Sequence, residues 1–409
     1  MSFLSPVSSS HMRRLGIVHA TEAYEPNVHH GISNVVATIA RACHTRDASN
    51  LVVTCRSFGW GDRRVRNRTV VLRATSLGRL AALPVVPTWP LLFWRTVARA
   101  NLAAVHAPFP SAAVAIATHF PHNVGLIVHW HSDAIIHPFL RTMVEPFTRA
   151  MLRRADAIIV SSPSLVLLPV FTELQDKVQV VPFGVDTHDW NTPISGQGRL
   201  LMARLKSAHP RLVVALDRLV GFSGFDLLIE AMRSIDAHLL IVGEGPRRNW
   251  LQRQIDDNDL SDRVTLWGAA SHLELRAILA AADVFVSPSL LPDETSGITQ
   301  LQAMACGLPI VNTALSTGAP WVARNGREAI TVMPGSGFAL TDAIQLLLAD
   351  RVLAGRLGSA GRARATESFS LSTFEHRVTQ AYNRVIAKYH PLNSKMLMPS
   401  VAMTEAKSR

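Results

Sequence analysis

The sequence predicts an α/β protein built from two doubly wound parallel sheets in tandem. Its 409 residues exceed what one hydrophobic core usually fills, which favours two domains. From residue 14 onward, short apolar runs rich in β-branched residues alternate with longer helical patterns, the rhythm of βαβ units. Because doubly wound sheets bind ligands at the carboxyl ends of their strands, two facing sheets would place an active site between the domains.

The predicted strands fall into two series, separated by a segment over residues 187–198 that is rich in polar residues, Pro and Gly. The first series covers residues 15–19, 51–54, 103–106, 125–129, 157–160 and 178–181. The second covers residues 212–215, 238–242, 264–267, 284–286 and 309–311. Helical patterns over residues 340–348 and 372–389 close the chain.

These patterns divide the chain into six segments. We expect a flexible tail over 1–12, a first domain over 13–190, a linker over 191–198, a second domain over 199–370, a helix over 371–390 that could pack back on the first domain, and a polar tail over 391–409.

The formal charge of +11 lies entirely in the first part of the chain, where residues 1–155 hold 17 basic and 6 acidic residues. A basic face of this kind suits nucleic acid, anionic lipid or a phosphorylated substrate, and charge alone does not choose among them. Arginine-rich codon usage is a further explanation, since 36 of the 41 basic residues are arginines. No nucleic-acid reader motif accompanies the charge, so we expect no nucleic-acid partner.

Cysteine usage and hydropathy indicate the compartment. Cys43, Cys55 and Cys306 are too few and too scattered for a disulfide framework or a zinc site, which favours a reducing, cytoplasmic location. No uncharged apolar run reaches the roughly 18 residues of a membrane span. Residues 77–102 mix Trp89 and Trp94 with three arginines and three prolines, which suits a membrane interface and equally suits a loop and helix packed on the first sheet.

Two stretches of the second series could hold a polar ligand. Gly243 and Gly245 stand at a strand-to-helix turn, where backbone N–H groups can approach a phosphate, although such turns also merely connect elements. Residues 287–313 place Glu294 in an acidic loop and Gly297 at the start of a helix, where a carboxylate and free amides can grip a ligand together. A glutamate that only caps its helix is the alternative.

Residues 287–313 resemble the donor-binding signature of the family 4 (group 1) retaining glycosyltransferases, with Glu294 matching the first of two glutamates eight positions apart and Gln302 replacing the second. Further segments resemble the family in the same order, at residues 181–186, 242–246, 262–268, 282–288 and 317–322. The resemblance implies the GT-B fold, in which two Rossmann-like domains face each other, the N-terminal one binding the acceptor and the C-terminal one the nucleotide sugar.

The resemblance also implies donor contacts. Glu294, as a catalytic residue, would contact the donor sugar, together with Gly297, Ile298 and Thr299. Gln302 stands where the second glutamate binds the ribose, and its amide oxygen can still accept a hydrogen bond. The expected nucleotide-binding set also includes Gly243, Gly245 and Trp267.

Residues 217–226 resemble the family's Gly-Arg-Leu-x-x-x-Lys-Gly segment, whose arginine and lysine neutralise the donor diphosphate. Arg218 matches the arginine and is expected to be catalytic, whereas Ser223 occupies the lysine position of the donor site. Losing a cation aimed at leaving-group charge costs on the order of 3 kcal/mol. Residues 207–387 contain no lysine, so only an arginine, Arg247 or Arg248, could compensate.

In the first domain, His129 and His131 point to one face of a predicted strand. Two histidines could begin a metal site, but no third ligand is evident, and a lone histidine at a strand end is more often structural. The segment resembles the family's His-x-His-Ser-Asp strand end, which implies that His131 is catalytic and contacts the donor sugar. The resemblance further implies acceptor contacts for Gly31, His106 and Trp130.

The resemblance therefore implies a metal-independent retaining glycosyltransferase without a cofactor. It would move a hexose, with mannose favoured, from a nucleotide-diphosphate sugar to a glycan acceptor, expected to be polyprenyl-diphosphate-linked, in cell-surface polysaccharide assembly. Its basic first domain would rest on anionic lipid at the cytoplasmic membrane face, with Trp89 and Trp94 as anchors. A catalytically impaired relative that binds nucleotide sugar or a partner enzyme is the alternative, suggested by Ser223 and Gln302. An epimerase is less favoured because acid and base groups for both ring faces cannot be placed.

Overall fold

The computed structural model describes residues 15–24, 32–44, 48–66, 69–80, 83–131, 138–291, 296–316 and 318–391. Two predicted site residues, Gly31 and Glu294, lie outside the described residues, as do both predicted tails apart from residue 391. Within these ranges the chain forms two α/β domains around parallel sheets, so the predicted fold class is confirmed.

The described part of the first domain contains ten strands. They are β1 (Leu15–Ala20), β2 (Ala48–Cys55), β3 (Asp62–Arg66), β4 (Thr69–Ala74), β5 (Arg79–Leu80), β6 (Leu83–Pro84), β7 (Leu102–Ala107), β8 (Gly125–Trp130), β9 (Ala157–Val160) and β10 (Val178–Val180). Eight of them form one sheet in the order β10-β9-β8-β7-β1-β2-β4-β3, while β5 and β6 pair separately. All neighbours in the large sheet are parallel except β3 and β4, which form an antiparallel ribbon at its edge.

The helices of this half are α1 (Ile32–Ala42), α2 (Trp89–Val97), α3 (Pro110–Thr118), α4 (Pro138–Arg154) and α5 (Pro163–Val166). In α2, a four-residue spacing places Trp89, Phe93 and Val97 on one face, and all three are fully buried. The indole N–H of Trp94 donates to the carbonyl oxygen of Ala115, 2.9 Å away. The anchor role predicted for Trp89 is therefore wrong, because its ring is fully buried. The Trp94 ring is half-buried against the core of the first domain, and its N–H is bonded to α3, so it does not support an anchor either.

In the second domain the described residues form six strands, β11 (Leu212–Leu216), β12 (His238–Val242), β13 (Val264–Gly268), β14 (Val284–Ser287), β15 (Ile310–Thr313) and β16 (Ala329–Val332). They form an all-parallel sheet in the order β13-β12-β11-β14-β15-β16. Its central strands β11, β12 and β14 are buried along their whole length, as expected for a sheet covered on both faces. The short helix α6 (Thr187–Asn191) opens this half of the chain. The helices that follow are α7 (Gly196–Ala208), α8 (Phe225–Ala231), α9 (Arg248–Asp257), α10 (His272–Ala281), α11 (Ser296–Cys306), α12 (Ala319–Val322), α13 (Gly337–Ala349) and α14 (Arg351–Ser368).

The chain crosses from the first domain to the second near Val185 and returns near Phe369, and the two crossings lie side by side. Val181 belongs to a core cluster of the first domain, whereas Val185 belongs to a cluster of the second. The N–H of Val185 donates to the carbonyl oxygen of Phe369 at 2.9 Å, and the N–H of Leu371 donates to that of Val185 at 2.8 Å. The outgoing and returning segments are therefore joined by hydrogen bonds.

The structure differs from the predicted linker over residues 191–198. Residue 196 already begins α7, and α6 is fixed to the second domain by Asp189, which contacts His272 and Arg276 of α10. The passage between domains lies earlier, between Val181 and Val185, where a polar composition does not mark it.

The last helix, α15 (Leu371–Tyr389), returns to the first domain. It lies against β7, β8 and α1. Its buried side chains join the core cluster formed by the first sheet: Phe374, Val378, Ala381, Tyr382, Val385 and Ile386. Among the described residues, the helices are either too short or too polar to cross a membrane.

Candidate active site

In each sheet the strand order reverses at one pair of neighbours, β1 and β7 in the first and β11 and β14 in the second. Doubly wound sheets bind ligands outside the carboxyl ends of the strands at such a switch point. Several residues predicted for the site lie there. His106 is the second-last residue of β7, Arg218 follows β11, and Gly297 is in the first turn of α11, the helix after β14.

Four buried histidines stack at the carboxyl ends of β1, β7 and β8, and we call them the histidine cluster: His19, His106, His129 and His131, each at most 4% exposed. The ring centroid of His106 lies 4.7 Å from that of His129, 5.3 Å from that of His131 and 5.8 Å from that of His19. His106 Nδ1 is 3.0 Å from His131 Nε2, so one nitrogen donates a hydrogen bond to the other. His106 therefore positions the ring of the predicted reaction-centre histidine.

Distant segments hold this cluster in place. His129 Nε2 is 2.8 Å from the hydroxyl oxygen of Tyr382 in α15. His19 Nε2 is 3.3 Å from Oδ1 of Asn50, whose amide N–H donates to the carbonyl oxygen of Ala40 at 2.9 Å. Sequence reasoning missed Tyr382, since 253 positions separate it from His129, and no local pattern links two such residues.

Burial keeps the histidine cluster uncharged. It lowers the pKa of His19 and of His131 to about 4. Burial, together with repulsion from neighbouring histidines, lowers the pKa of His106 and His129 well below the ordinary value. The four rings are therefore neutral at pH 7. No set of three or more His, Cys, Asp or Glu side chains among the described residues is arranged to hold a metal ion.

The cluster predicts an acid-sensitive fold. Below pH 6.5 the unfolded chain binds protons on these histidines, whereas the folded chain does not until about pH 4, so stability falls as the pH decreases through this window. From pH 7 to pH 5 we expect His19 and His131 to cost about 2 kcal/mol each. Urea unfolding at both pH values measures the loss. His131→Gln should reduce it by about that amount, and the exposed-site control His188→Gln should not; equal losses in both variants would contradict the assignment.

The structure separates Trp130 from the histidines. Neighbouring strand residues point to opposite faces, and the ring of Trp130 packs edge-on against Phe171, with centroids 5.5 Å apart, inside a core cluster of the first domain. His131 instead stacks on Phe183 of the inter-domain segment, with centroids 6.1 Å apart. Trp130 also lines a cavity, so its predicted acceptor contact stays a prediction, away from the histidines. His131 lies where the chain passes between domains.

Close packing of glycines joins the loops at the second switch point. Gly224 has a φ of +71°, and a Cβ there would lie 2.0 Å from the carbonyl oxygen of Pro288. Gly243 has a φ of +145°, and a Cβ there would lie 1.9 Å from the carbonyl oxygen of Asp217. A Cβ on Gly245 would likewise collide with backbone. Only glycine fits these positions, so the loops after β11, β12 and β14 form one compact group.

Ser223, at the position where the family has a lysine, turns inward. Its side chain is 1% exposed, and its hydroxyl donates to the carbonyl oxygen of Arg218 at 2.7 Å. The side chain of Arg218 is exposed, and its backbone N–H donates to the carboxylate of Asp217. This geometry corrects the predicted donor contact of Ser223, because its hydroxyl is used to shape the loop that presents Arg218.

Of the two arginines proposed to compensate, Arg247 lies beside this loop. Its guanidinium carbon is 3.5 Å from the place that a Cβ on Gly221 would occupy. Arg248 is engaged elsewhere, since its Nη2 donates to the carbonyl oxygen of Leu266 at 3.0 Å and its Nη1 lies 3.6 Å from Glu244. The Arg247 guanidinium therefore supplies a cation at the second switch point, although Arg247 precedes α9 and is not part of the loop that carries Ser223.

The predicted donor residues of α11 lie at its start and along its buried side. Gly297 is buried, Ile298 packs against a core cluster of the first domain, and Thr299 is half-buried. Gln302 is 7% exposed, and its buried Oε1 has no hydrogen-bond partner among the described residues. Trp267, at the end of β13, is half-buried against the second-domain core. Gln302 thus holds an unsatisfied acceptor, as its predicted role requires.

Two family models match the chain. A glycosyl transferase 4-like domain matches residues 30–184, and the glycosyl transferases group 1 model matches residues 202–364. The chain belongs to the group 1 glycosyltransferases. Together the two matches cover both domains of this glycosyltransferase, in the order that the sequence resemblance implied.

Relatives and solved structures agree with this assignment. The glycosyltransferase is 22% identical to O-antigen chain mannosyltransferase C of Escherichia coli over 369 residues, 90% of this chain and 97% of the relative. It is 33% identical to a GDP-mannose-dependent alpha-(1-6)-phosphatidylinositol monomannoside mannosyltransferase of Mycolicibacterium smegmatis over 251 residues, 58% of this chain and 65% of the relative. Sucrose-phosphate synthase from Thermosynechococcus elongatus has a similar fold, with a TM-score of 0.77 at 22% identity, covering 92% of this chain and all of the other. The GT-B fold is confirmed.

Proposed function

We propose that this glycosyltransferase transfers mannose, with retention of anomeric configuration, from a nucleotide-diphosphate sugar to a lipid-linked glycan. The proposal rests on the contacts that bring residues near the second switch point close to the first domain. Ile298, one of the residues predicted to contact the donor sugar, packs on the first domain. His131 stacks on Phe183 of the inter-domain segment. Both relatives described above are named mannosyltransferases, and their names support mannose as the sugar.

The donor diphosphate would lie against the loop of residues 217–224. Arg218 is exposed there, and the guanidinium of Arg247 lies against Gly221 of the same loop. Two guanidinium groups can offset the charge that develops on the leaving diphosphate, a form of transition-state stabilisation that is most effective when the groups are already in place. The unsatisfied Oε1 of Gln302 would accept a hydrogen bond from a ribose hydroxyl.

His131 suits the region of the anomeric carbon because its ring is neutral. As the bond to the diphosphate breaks, positive charge develops on the sugar ring, and a nearby imidazolium would oppose it. The low pKa of about 4 prevents that repulsion at neutral pH. In this proposal the departing diphosphate accepts the proton of the acceptor hydroxyl as the new glycosidic bond forms on the same face. No protein nucleophile is then required.

The direct test is a transfer assay with purified protein. A panel of nucleotide sugars, including GDP-mannose and UDP-glucose, is mixed with a polyprenyl-diphosphate glycan, and products are identified by mass spectrometry. We expect one added hexose from GDP-mannose, with an α linkage by NMR. A product of inverted configuration, or transfer of another sugar in preference to mannose, would contradict the proposal. Transfer that is unaffected by a chelator would support metal independence.

Loss of the usual lysine favours a second candidate, a protein that binds nucleotide sugar without transferring it. The inward hydroxyl of Ser223 leaves the loop without that cation, which is the specific observation in its favour. Tight binding of a nucleotide sugar without transfer or hydrolysis would establish this second function, and turnover would exclude it.

Ser223→Lys tests whether the diphosphate lacks charge compensation. If the ammonium reaches the donor, we expect kcat/KM to rise about tenfold, which corresponds to about 1.4 kcal/mol of transition-state stabilisation. Ser223→Met is the matched control, since it adds comparable length, removes the same hydrogen bond to Arg218 and carries no charge. Equal activity of the two variants would show that charge at residue 223 is irrelevant.

A further inference from the structure

A cluster of large apolar side chains is exposed beside β3 and β4. Phe58 is 70% exposed, Trp60 is 84% exposed, and Leu77 is 64% exposed. The ring of Phe58 lies 3.9 Å from the place that a Cβ on Gly78 would occupy, so the loop of residues 56–61 and the segment around Leu77 are adjacent. Single exposed apolar residues are ordinary, but three together, two of them aromatic, indicate a surface used for interaction.

Hydrogen bonds hold this loop in its outward-facing form. The N–H of Gly59 donates to the carbonyl oxygen of Ser76, and the reverse bond has the same length of 2.9 Å. The Arg56 guanidinium donates to the carbonyl oxygen of Trp60, and the N–H of Gly61 donates to Thr75 Oγ1, each at 2.9 Å. Because the backbone is fixed on both sides of Trp60, its indole remains in solvent rather than folding onto the domain.

The surroundings of these rings are basic. Arg63 is exposed, and the side chains of Arg64 and Arg79 are 54% and 53% exposed. Among the described residues, Asp62 is paired with Arg64 and Arg73, and Glu22 is paired with Arg79. The surface therefore combines exposed aromatic rings with a net positive charge, within the half of the chain that holds all of the +11.

The exposed apolar cluster lies at the same edge of the first sheet as the candidate active site. The loop follows the carboxyl end of β2, which pairs with β1 in the sheet. The histidine cluster lies at the carboxyl ends of β1, β7 and β8, hence at the same edge of the same sheet. The ion pair between Glu22, just after β1, and Arg79 connects the two regions directly.

We propose that Phe58, Trp60 and Leu77, with Arg63, Arg64 and Arg79, bind an anionic phospholipid bilayer, and we call these residues the Trp60 surface. Aromatic side chains partition into the headgroup region, while guanidinium groups pair with lipid phosphates. This arrangement turns the carboxyl edge of the first sheet toward the lipid. It complements the proposed lipid-linked acceptor, but the binding itself depends on neither donor nor acceptor.

Vesicle co-sedimentation of the full chain tests the proposal without any substrate. We expect binding to phosphatidylcholine vesicles that contain phosphatidylglycerol, little binding to phosphatidylcholine alone, and weakening with added salt. The double variant Phe58→Ser, Trp60→Ser should bind at least tenfold more weakly. The matched control Met333→Ser, Phe338→Ser removes a similarly exposed apolar pair, 69% and 77% exposed, from the second domain and should bind as the unmodified protein does.

Charge is tested separately. Arg63→Gln with Arg64→Gln should reduce binding to the anionic vesicles and flatten its salt dependence. Arg253→Gln, at an exposed position of α9 in the second domain, should do neither. Absence of binding to anionic vesicles, or undiminished binding by both double variants of the Trp60 surface, would overturn the proposal. Lipid-free self-association that disappears in Phe58→Ser, Trp60→Ser, seen by analytical ultracentrifugation, would assign the surface to a protein interface instead and also overturn it.

A spectroscopic measurement excludes misfolding as the cause of any lost binding. Vesicles with brominated acyl chains should quench tryptophan fluorescence of the unmodified protein. In Trp60→Phe, which keeps an aromatic ring, the vesicles should still bind but most of the quenching should be lost. Trp60 is 84% exposed, whereas Trp250, at 38%, lies in the second domain, away from the Trp60 surface. Quenching that is unchanged in Trp60→Phe would place the contact elsewhere and contradict the proposal.

Discussion

Glu294→Ala is expected to abolish glycosyl transfer while leaving the fold intact. The residue lies in the sequence between β14, whose carboxyl end is at the second switch point, and α11, which begins at Ser296. By resemblance its carboxylate orients the donor sugar. Loss of a group that acts mainly on the transition state lowers kcat and kcat/KM together, and we expect roughly a thousandfold decrease or more in both.

The control for this variant is Glu230→Ala, which removes an exposed carboxylate from α8 in the same domain. Steady-state kinetics of both variants, with thermal unfolding to show equal stability, separate a site effect from a folding effect. Transfer by Glu294→Ala within tenfold of the unmodified rate would overturn the assignment. A rise in KM alone would limit Glu294 to ground-state binding.

The predicted strands are confirmed where apolar patterning and burial coincide. Each run in the two series corresponds to a strand, because a parallel sheet covered on both faces needs continuous apolar residues. β3, with the sequence Asp-Arg-Arg-Val-Arg, could not be predicted this way. It is an edge strand that pairs with β4, and Asp62 forms an ion pair with Arg73 across the two strands.

The site was predictable where it depends on local geometry. The glycine-rich turn at Gly243 and the exposed position of Arg218 follow from short motifs and strand ends. The histidine cluster depends on pairing across strands and on a helix at the far end of the chain, which brings Tyr382 to His129. No periodicity within one segment encodes such contacts, so His19 and Tyr382 could be found only from the structure.

The predicted membrane contact illustrates a further limit of sequence analysis, because composition does not show whether an aromatic ring faces solvent. A mixture of tryptophan and arginine in sequence indicates an interface only if the rings face solvent. In α2 the spacing of Trp89 and Phe93 suits burial, and the centroids of their rings are 4.9 Å apart in the core. Trp60 stands in a short loop between Gly59 and Gly61, where the backbone turns and the ring has no core to enter. Helical periodicity distinguishes these cases better than composition does.

Arg247→Met should reduce kcat/KM about 100-fold, the effect of removing one preorganised group that stabilises developing negative charge. The guanidinium carbon lies 4.4 Å from the ring centroid of Trp250 and 3.5 Å from the place that a Cβ on Gly221 would occupy, so its position is fixed before a ligand binds. Fixed geometry matters because a charge that need not reorganise contributes fully to the transition state. Methionine keeps the unbranched chain and removes only the charged end.

The control is Arg253→Met on α9, the helix that begins directly after Arg247. It removes an exposed guanidinium further from the loop and should leave kcat/KM unchanged. Single-turnover rates with donor and acceptor, together with donor affinity by calorimetry, divide the effect between chemistry and binding. If Arg247 replaces the usual lysine, Ser223→Lys should restore much of the activity lost in Arg247→Met, because both cations would serve the same diphosphate. Additive effects of the two substitutions would mean that Arg247 and residue 223 act on different charges. Arg218 would then be the cation of the loop of residues 217–224 that neutralises the donor diphosphate.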